Sequence, residues 1–150
     1  MKEQYSELKK KHKLPDFSIL DYEFEISSIE EEAFLLRNIR CMIDEKTELS
    51  IKLLDEILHP EAGFSSFRES GIFTQDERER ILKVYRSLMY FRRLSTELFF
   101  EDSDELNAKF INEFMKEWPE LKKSLLVFVK RMKESWQKDV SIKEVVGYLG

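Results

Sequence analysis

Apolar residues recur along most of this chain at three- and four-residue intervals, the spacing of one face of an α-helix. The longest such stripe runs Ile29, Ala33, Leu36, Ile39, Ile43, Thr47, Ser50, Leu54 and Ile57. Ser28 and Glu31 stand ahead of it as an S-x-x-E capping box, and His59-Pro60 stops it, so the pattern predicts a helix from about residue 29 to 58. After a predicted loop carrying Gly63 and Gly71, a second box, Thr74 with Glu77, opens a helix over 75–100. Its inward stripe reads Ile81, Val84, Leu88, Arg92, Ser95 and Phe99. Antiparallel pairing of these two helices is the expected spine.

The remaining elements follow from the same pattern. A short helix covers about residues 2–12, and Pro15 forces Leu14 out of helical geometry. In "LPDFSILDYEFEIS" the alternation of Tyr22, Phe24 and Ile26 has the period of extended chain, which predicts an ordered strap with Phe17, Leu20 and Phe24 lying on the helices. "EDSDEL" caps a helix over 104–117 that turns Leu106, Phe110, Ile111 and Phe114 inward. Pro119 suits the first turn of another helix, whose inward face is Trp118, Leu121, Leu125, Phe128, Val129, Met132 and Trp136. Ser141 with Glu144 is a third capping box, for the terminal "IKEVVGYL". The expected architecture is one all-α domain over 1–150, a bundle of five to six helices, with 1–27 as N-terminal helix and strap and 28–150 as the bundle.

Composition narrows the class. Apolar residues make up 42% of the chain and twelve are Phe, while charged residues make up 37% and only four Gly and three Pro are present. This is the balance of solvated helices around a core. The single Cys41 can form neither an internal disulfide nor a multi-thiolate metal site. No apolar run reaches the roughly 20 residues that cross a bilayer, and "MKEQYSELKKKHK" lacks the apolar stretch of a signal peptide. The expectation is a cytoplasmic chain with no membrane partner. The net charge of −5 is unevenly spread: +3 over 1–13, −8 over 14–60, +1 over 61–100, −4 over 101–119 and +3 over 120–150.

Both long helices carry a polar break near the middle of their apolar stripe, which predicts that the breaks face each other. A buried guanidinium needs a partner. Arg92 is therefore expected to be mostly buried and paired with Asp44 or Glu48, with Thr47 and Ser50 as hydroxyl partners in a structural polar network. A competing reading has Arg92, Arg86 and Tyr85 lining a cleft for an anion such as phosphate.

Candidate catalytic chemistry is sparse. Only Glu56 and His59 match the E-x-x-H element of a di-iron bundle, since Lys9 stands at the matching position before His12. Glu45-x-x-Glu48 and Glu101-x-x-Asp104 have the spacing of the magnesium-binding acids of all-α nucleotide pyrophosphohydrolases, but the second pair falls at a helix break and Glu45 projects away from the apolar stripe. Cys41 has no histidine near it in sequence to activate it. "KKKHK" at 9–13 and the lysines of 122–133 lack interleaved aromatics, and the chain is acidic, so nucleic acid is not the expected partner.

The stretches "LPDFSILDYEFEIS", "FLLRNIR" and "EWPELKKSLL" resemble a family of small all-helical proteins of archaeal genomes, with no known activity. The resemblance spans most of the chain and implies a free-standing helical domain without site residues to carry over. The expected function is a non-catalytic protein-interaction module without a cofactor, the alternative being a magnesium-dependent nucleotide hydrolase. Its expected partner surface is Leu126 and Val127 among Lys122, Lys123, Lys130 and Lys133, a small apolar centre with a basic rim. That rim would take an acidic protein or the 14–60 region of a second copy.

Overall fold

A computed structural model describes residues 1–61 and 63–149, the last two of these by their backbone alone. The described residues form seven α-helices and no strand: α1 (Lys2–His12), α2 (Phe17–Phe24), α3 (Leu35–Leu58), α4 (Phe64–Gly71), α5 (Gln75–Phe100), α6 (Asp104–Ser135) and α7 (Ile142–Leu149), with one 3-10 turn at Ile26–Ser28. This is an all-α helical bundle. The chain divides into two compact units, Met1–Leu49 with Leu88–Pro119, and Ser50–Ser87 with Glu120–Gly150.

The first unit gathers α1, α2 and parts of α3, α5 and α6 around an aromatic core. Phe91 packs edge-on to Phe110 and Phe114, and Phe114 stacks on Trp118 with ring centroids 5.4 Å apart. Phe24 joins this cluster against Phe114 and Trp118. The Trp118 indole N–H donates to Glu23 Oε2 at 2.8 Å, and Lys46 lies over the Phe24 and Trp118 rings. The buried Tyr5 hydroxyl donates to the Pro15 carbonyl at 2.7 Å.

Residues 17–24 form a helix where the alternating pattern predicts extended chain. Phe17, Leu20 and Phe24 do face inward, at helical spacing, while Tyr22 is 81% exposed. Polar caps decide the matter. Glu25 ends the helix in left-handed geometry, and the Asp21 carboxylate accepts the Ser27 backbone N–H at 2.7 Å. That bond holds the Asp21 carboxyl below its ordinary pKa.

Helix α3 starts at Leu35, not near Ile29. The Asn38 side chain donates to the carbonyls of Glu31 and Ala33, at 2.9 and 3.1 Å, so it competes for groups that a longer helix would bond to its own backbone. Phe34 turns the chain with φ 56°. Ser28 caps nothing, since its hydroxyl donates back to Glu25.

In the second unit Ile51, Leu54, Ile57, Phe73, Ile81, Val84, Leu121, Leu125, Phe128 and Met132 are buried. Residues 64–71, predicted as loop, form α4. Its Ser70 hydroxyl donates to the Ile57 carbonyl at 2.7 Å, and Arg78 Nη1 reaches the same oxygen at 3.1 Å, so side chains satisfy a carbonyl left open where α3 ends. The Thr74–Glu77 box opens α5 as predicted, with Glu77 N–H to Thr74 Oγ1 at 3.2 Å and Thr74 N–H to Glu77 Oε1 at 3.3 Å. Arg131 Nη1 donates to the same Glu77 carboxylate at 2.7 Å and Nη2 to the Ile72 carbonyl. Helix α7 packs on α4, where Arg68 pairs with Glu144 and stacks over Trp136.

Pro119 starts no helix: α6 runs through it without interruption. The buried face stays continuous from Phe114 to Trp118 to Leu121, and Pro119 itself is exposed, so packing of that face outweighs the one lost backbone bond. Val129 and Trp136, predicted to face inward, are exposed.

Candidate functional site

The predicted polar network forms only in part, around a half-buried ion pair. Arg92 Nη1 lies 2.5 Å from Asp44 Oδ2, and Nη2 lies 3.9 Å from Glu48 Oε1. The Arg92 side chain is 31% exposed, so it is covered over the larger part of its surface and meets solvent at one edge. The reason is a one-residue change of slot: the buried stripe of α5 steps from Leu88 to Phe91, Ser95 and Leu98, leaving Arg92 at its edge and Phe99 in solvent. Thr47 donates to the Ile43 carbonyl of its own helix and Ser50 falls in the second unit. Arg86 is exposed, and Tyr85 donates to the Asp55 carboxylate, which raises the phenol pKa. That hydroxyl already serves an anion of the chain itself.

The buried arginine is Arg40, at 5% exposure. Its Nε donates to Asn107 Oδ1 at 2.7 Å and its Nη1 to Ser95 Oγ at 2.7 Å and the Ser95 carbonyl at 3.1 Å. Asn107 Nδ2 passes the connection on to Asp102 Oδ1 at 2.6 Å, and Asp102 Oδ2 accepts from Arg37 Nε at 2.7 Å. Arg37 in turn stacks on Phe34 at 4.2 Å. Hydrogen bonds from Arg37 and Asn107 hold the Asp102 carboxyl below its ordinary range. The signal for Arg40 was present in the sequence, because 36, 40, 43 and 47 also lie on one helical face. Ile39 filled that slot in the stripe and hid it.

Among the described residues no three His, Cys, Asp or Glu side chains gather into a group that could hold a metal ion. Glu45, Glu56, His59, Glu101 and Asp104 are all exposed, and Glu48 points toward Arg92. Cys41 is exposed, and the Nε2 atom of half-buried His12 is enclosed without a partner. In the basic N-terminal segment, Lys9 pairs with Asp16 and Lys11 approaches Glu105.

The predicted partner surface is reorganised around Val127. Val127, Val84 and Phe128 form the apolar part of a groove of about 220 Å³ between α5 and α6, with Ser124, Arg80 and Lys83 as its polar lining. Lys123 and Lys130 stand one turn to either side of Val127 on α6. Among the described residues, Arg80, Lys83, Lys123 and Lys130 make no ion pair and no side-chain hydrogen bond. Arg37, Arg40, Arg68, Arg78, Arg92 and Arg131, by contrast, are all engaged within the fold. Leu126 is half exposed, Lys122 is half-buried and Lys133 is exposed. Arg80 and Lys83 belong to α5, so the pattern along α6 does not show them.

No protein-family model, no curated protein and no solved structure matches the chain. No helix of the described residues is long and apolar enough to cross a membrane.

Proposed function

We propose that the chain is a non-catalytic interaction module that docks an acidic protein segment in the α5/α6 groove. The observation that carries this reading is the pair of uncommitted cations, Arg80 and Lys83, that line the groove beside its apolar floor of Val84, Val127 and Phe128, with Lys123 and Lys130 one turn to either side of Val127 on α6. An apolar centre with a charged rim has the anatomy of a small interface, and the rim selects an acidic occupant. The alternative, a magnesium-dependent nucleotide hydrolase, needs converging carboxylates, and Glu45, Glu48, Glu101 and Asp104 do not form such a group. A cytoplasmic setting accords with the exposed, lone Cys41.

The test uses two fluorescent peptides, one alternating Glu with Phe and Leu, the other with Lys in place of Glu. The acidic peptide should bind, with affinity falling as salt rises, and Lys83→Glu with Val127→Asp should weaken it about tenfold or more. Equal binding of both peptides, or of neither, would remove the reading.

A further inference from the structure

The same chain carries a surface that fits this groove. Helix α5 ends in Phe99 and Phe100, 75% and 82% exposed, packed edge-to-face with centroids 5.2 Å apart. Between residues 97 and 105 the chain has five carboxylates and no cation. Asp102 is committed to Arg37, and Glu105 approaches Lys11. Among the described residues, Glu97, Glu101 and Asp104 make no ion pair. The corner that joins α5 to α6 is thus a protruding aromatic pair within free acids.

We infer that the occupant of the groove is this α5–α6 corner from a second copy of the chain, with Phe100 or Phe99 on Val84, Val127 and Phe128 and with Glu97, Glu101 and Asp104 facing Arg80, Lys83, Lys123 and Lys130. The inference rests on the docking reading given above. Size agrees: a cavity of roughly 150 Å³ accepts a benzene molecule, and the groove holds about 220 Å³. Charge agrees as well, since each surface carries what the other lacks. A phenylalanine exposed to this degree leaves most of an apolar ring in water, and docking would bury it. Corner and groove are different surfaces, so the contact is either returned across a two-fold axis in a closed dimer or passed on from copy to copy.

Sedimentation velocity of the full chain over a concentration series tests this. At about 0.05 M salt the mean mass should rise with concentration past that of a monomer, and at about 0.5 M it should fall back, because the charged rim is then screened. Phe100→Ser removes the corner and Lys83→Glu spoils the groove. Both residues are exposed, so the helical circular dichroism should be unchanged. Each variant alone should associate about tenfold more weakly or not at all. Mixed in equal amounts they should form a dimer and nothing larger, since the Phe100→Ser chain keeps its groove and the Lys83→Glu chain keeps its corner. A wild type that stays monomeric, an undiminished Phe100→Ser variant, or a mixture that fails to pair would overturn the inference. If the acidic peptide binds while the chain stays monomeric, the groove reading stands and only this occupant is lost. If the peptide also fails, both fall.

Discussion

Arg40 Nε donates to Asn107 Oδ1 at 2.7 Å, and through that amide a buried guanidinium is linked to the carboxylate of Asp102, which it does not touch. Its direct partners, Asn107 and Ser95, are neutral, so the countercharge sits one hydrogen bond away. A buried charge whose partner is removed costs about 3 to 5 kcal/mol.

Asn107→Ala strands the Arg40 Nε and should destabilise the fold by about 3 kcal/mol. Arg92→Ala should cost about 1 kcal/mol or less, because the Arg92–Asp44 pair is partly solvated, and Arg93→Ala should cost still less. Urea unfolding of the three variants measures the order. An Arg92 cost equal to that of Asn107 would contradict the burial difference.

Acid should unfold the protein in part through Asp102. Its carboxyl is held below the ordinary range by hydrogen bonds from Arg37 and Asn107. A lowered folded pKa supplies stability that is complete above the unfolded value near 4 and is lost as pH falls through the folded value. Asp102→Asn should therefore lower stability at neutral pH and flatten its decline below about pH 4. A denaturant midpoint series across pH gives both quantities, and an unchanged acid slope would rule the contribution out.

The sequence capping boxes at Ser28 and Thr74 should behave differently. Thr74→Ala should cost about 1 kcal/mol, because its hydroxyl accepts the Glu77 N–H at the start of α5. Ser28→Ala should cost less than half of that, since Ser28 only bonds back to Glu25 in a 3-10 turn. Thermal melts of the two variants decide it.

Pro119→Ala should raise stability, by about 1 kcal/mol, since an interior proline leaves one backbone carbonyl of α6 without its helical partner. At a first helical position the same change would be neutral or slightly destabilising. The sign of the shift in melting temperature separates the two.

The helices α3 and α5 were legible in the sequence because apolar residues keep helical spacing on either side of their polar breaks and several helix ends carry local chemistry. The Thr74–Glu77 box, the His59-Pro60 stop and the Ser103 cap, whose hydroxyl accepts the Leu106 N–H, all act within three or four residues. The partner of Arg92 was legible too, from matching heights on two antiparallel helices. What stayed hidden depended on which of two adjacent residues the core accepts. Phe91 displaced Arg92 from the buried slot, and Arg40 entered a slot beside Ile39, because aromatic packing against Phe110 and Phe114 rotates the stripe by about one residue. Local pattern also misjudged 17–24, where caps at Asp21 and Glu25 outweigh an alternation of three residues, and Pro119, where a continuous buried face outweighs one missing hydrogen bond. The groove could not be found along one helix at all. Arg80 and Lys83 meet Val127 only when α5 lies against α6, and such meetings between distant residues are made by tertiary packing, not by the local physics that shapes each helix.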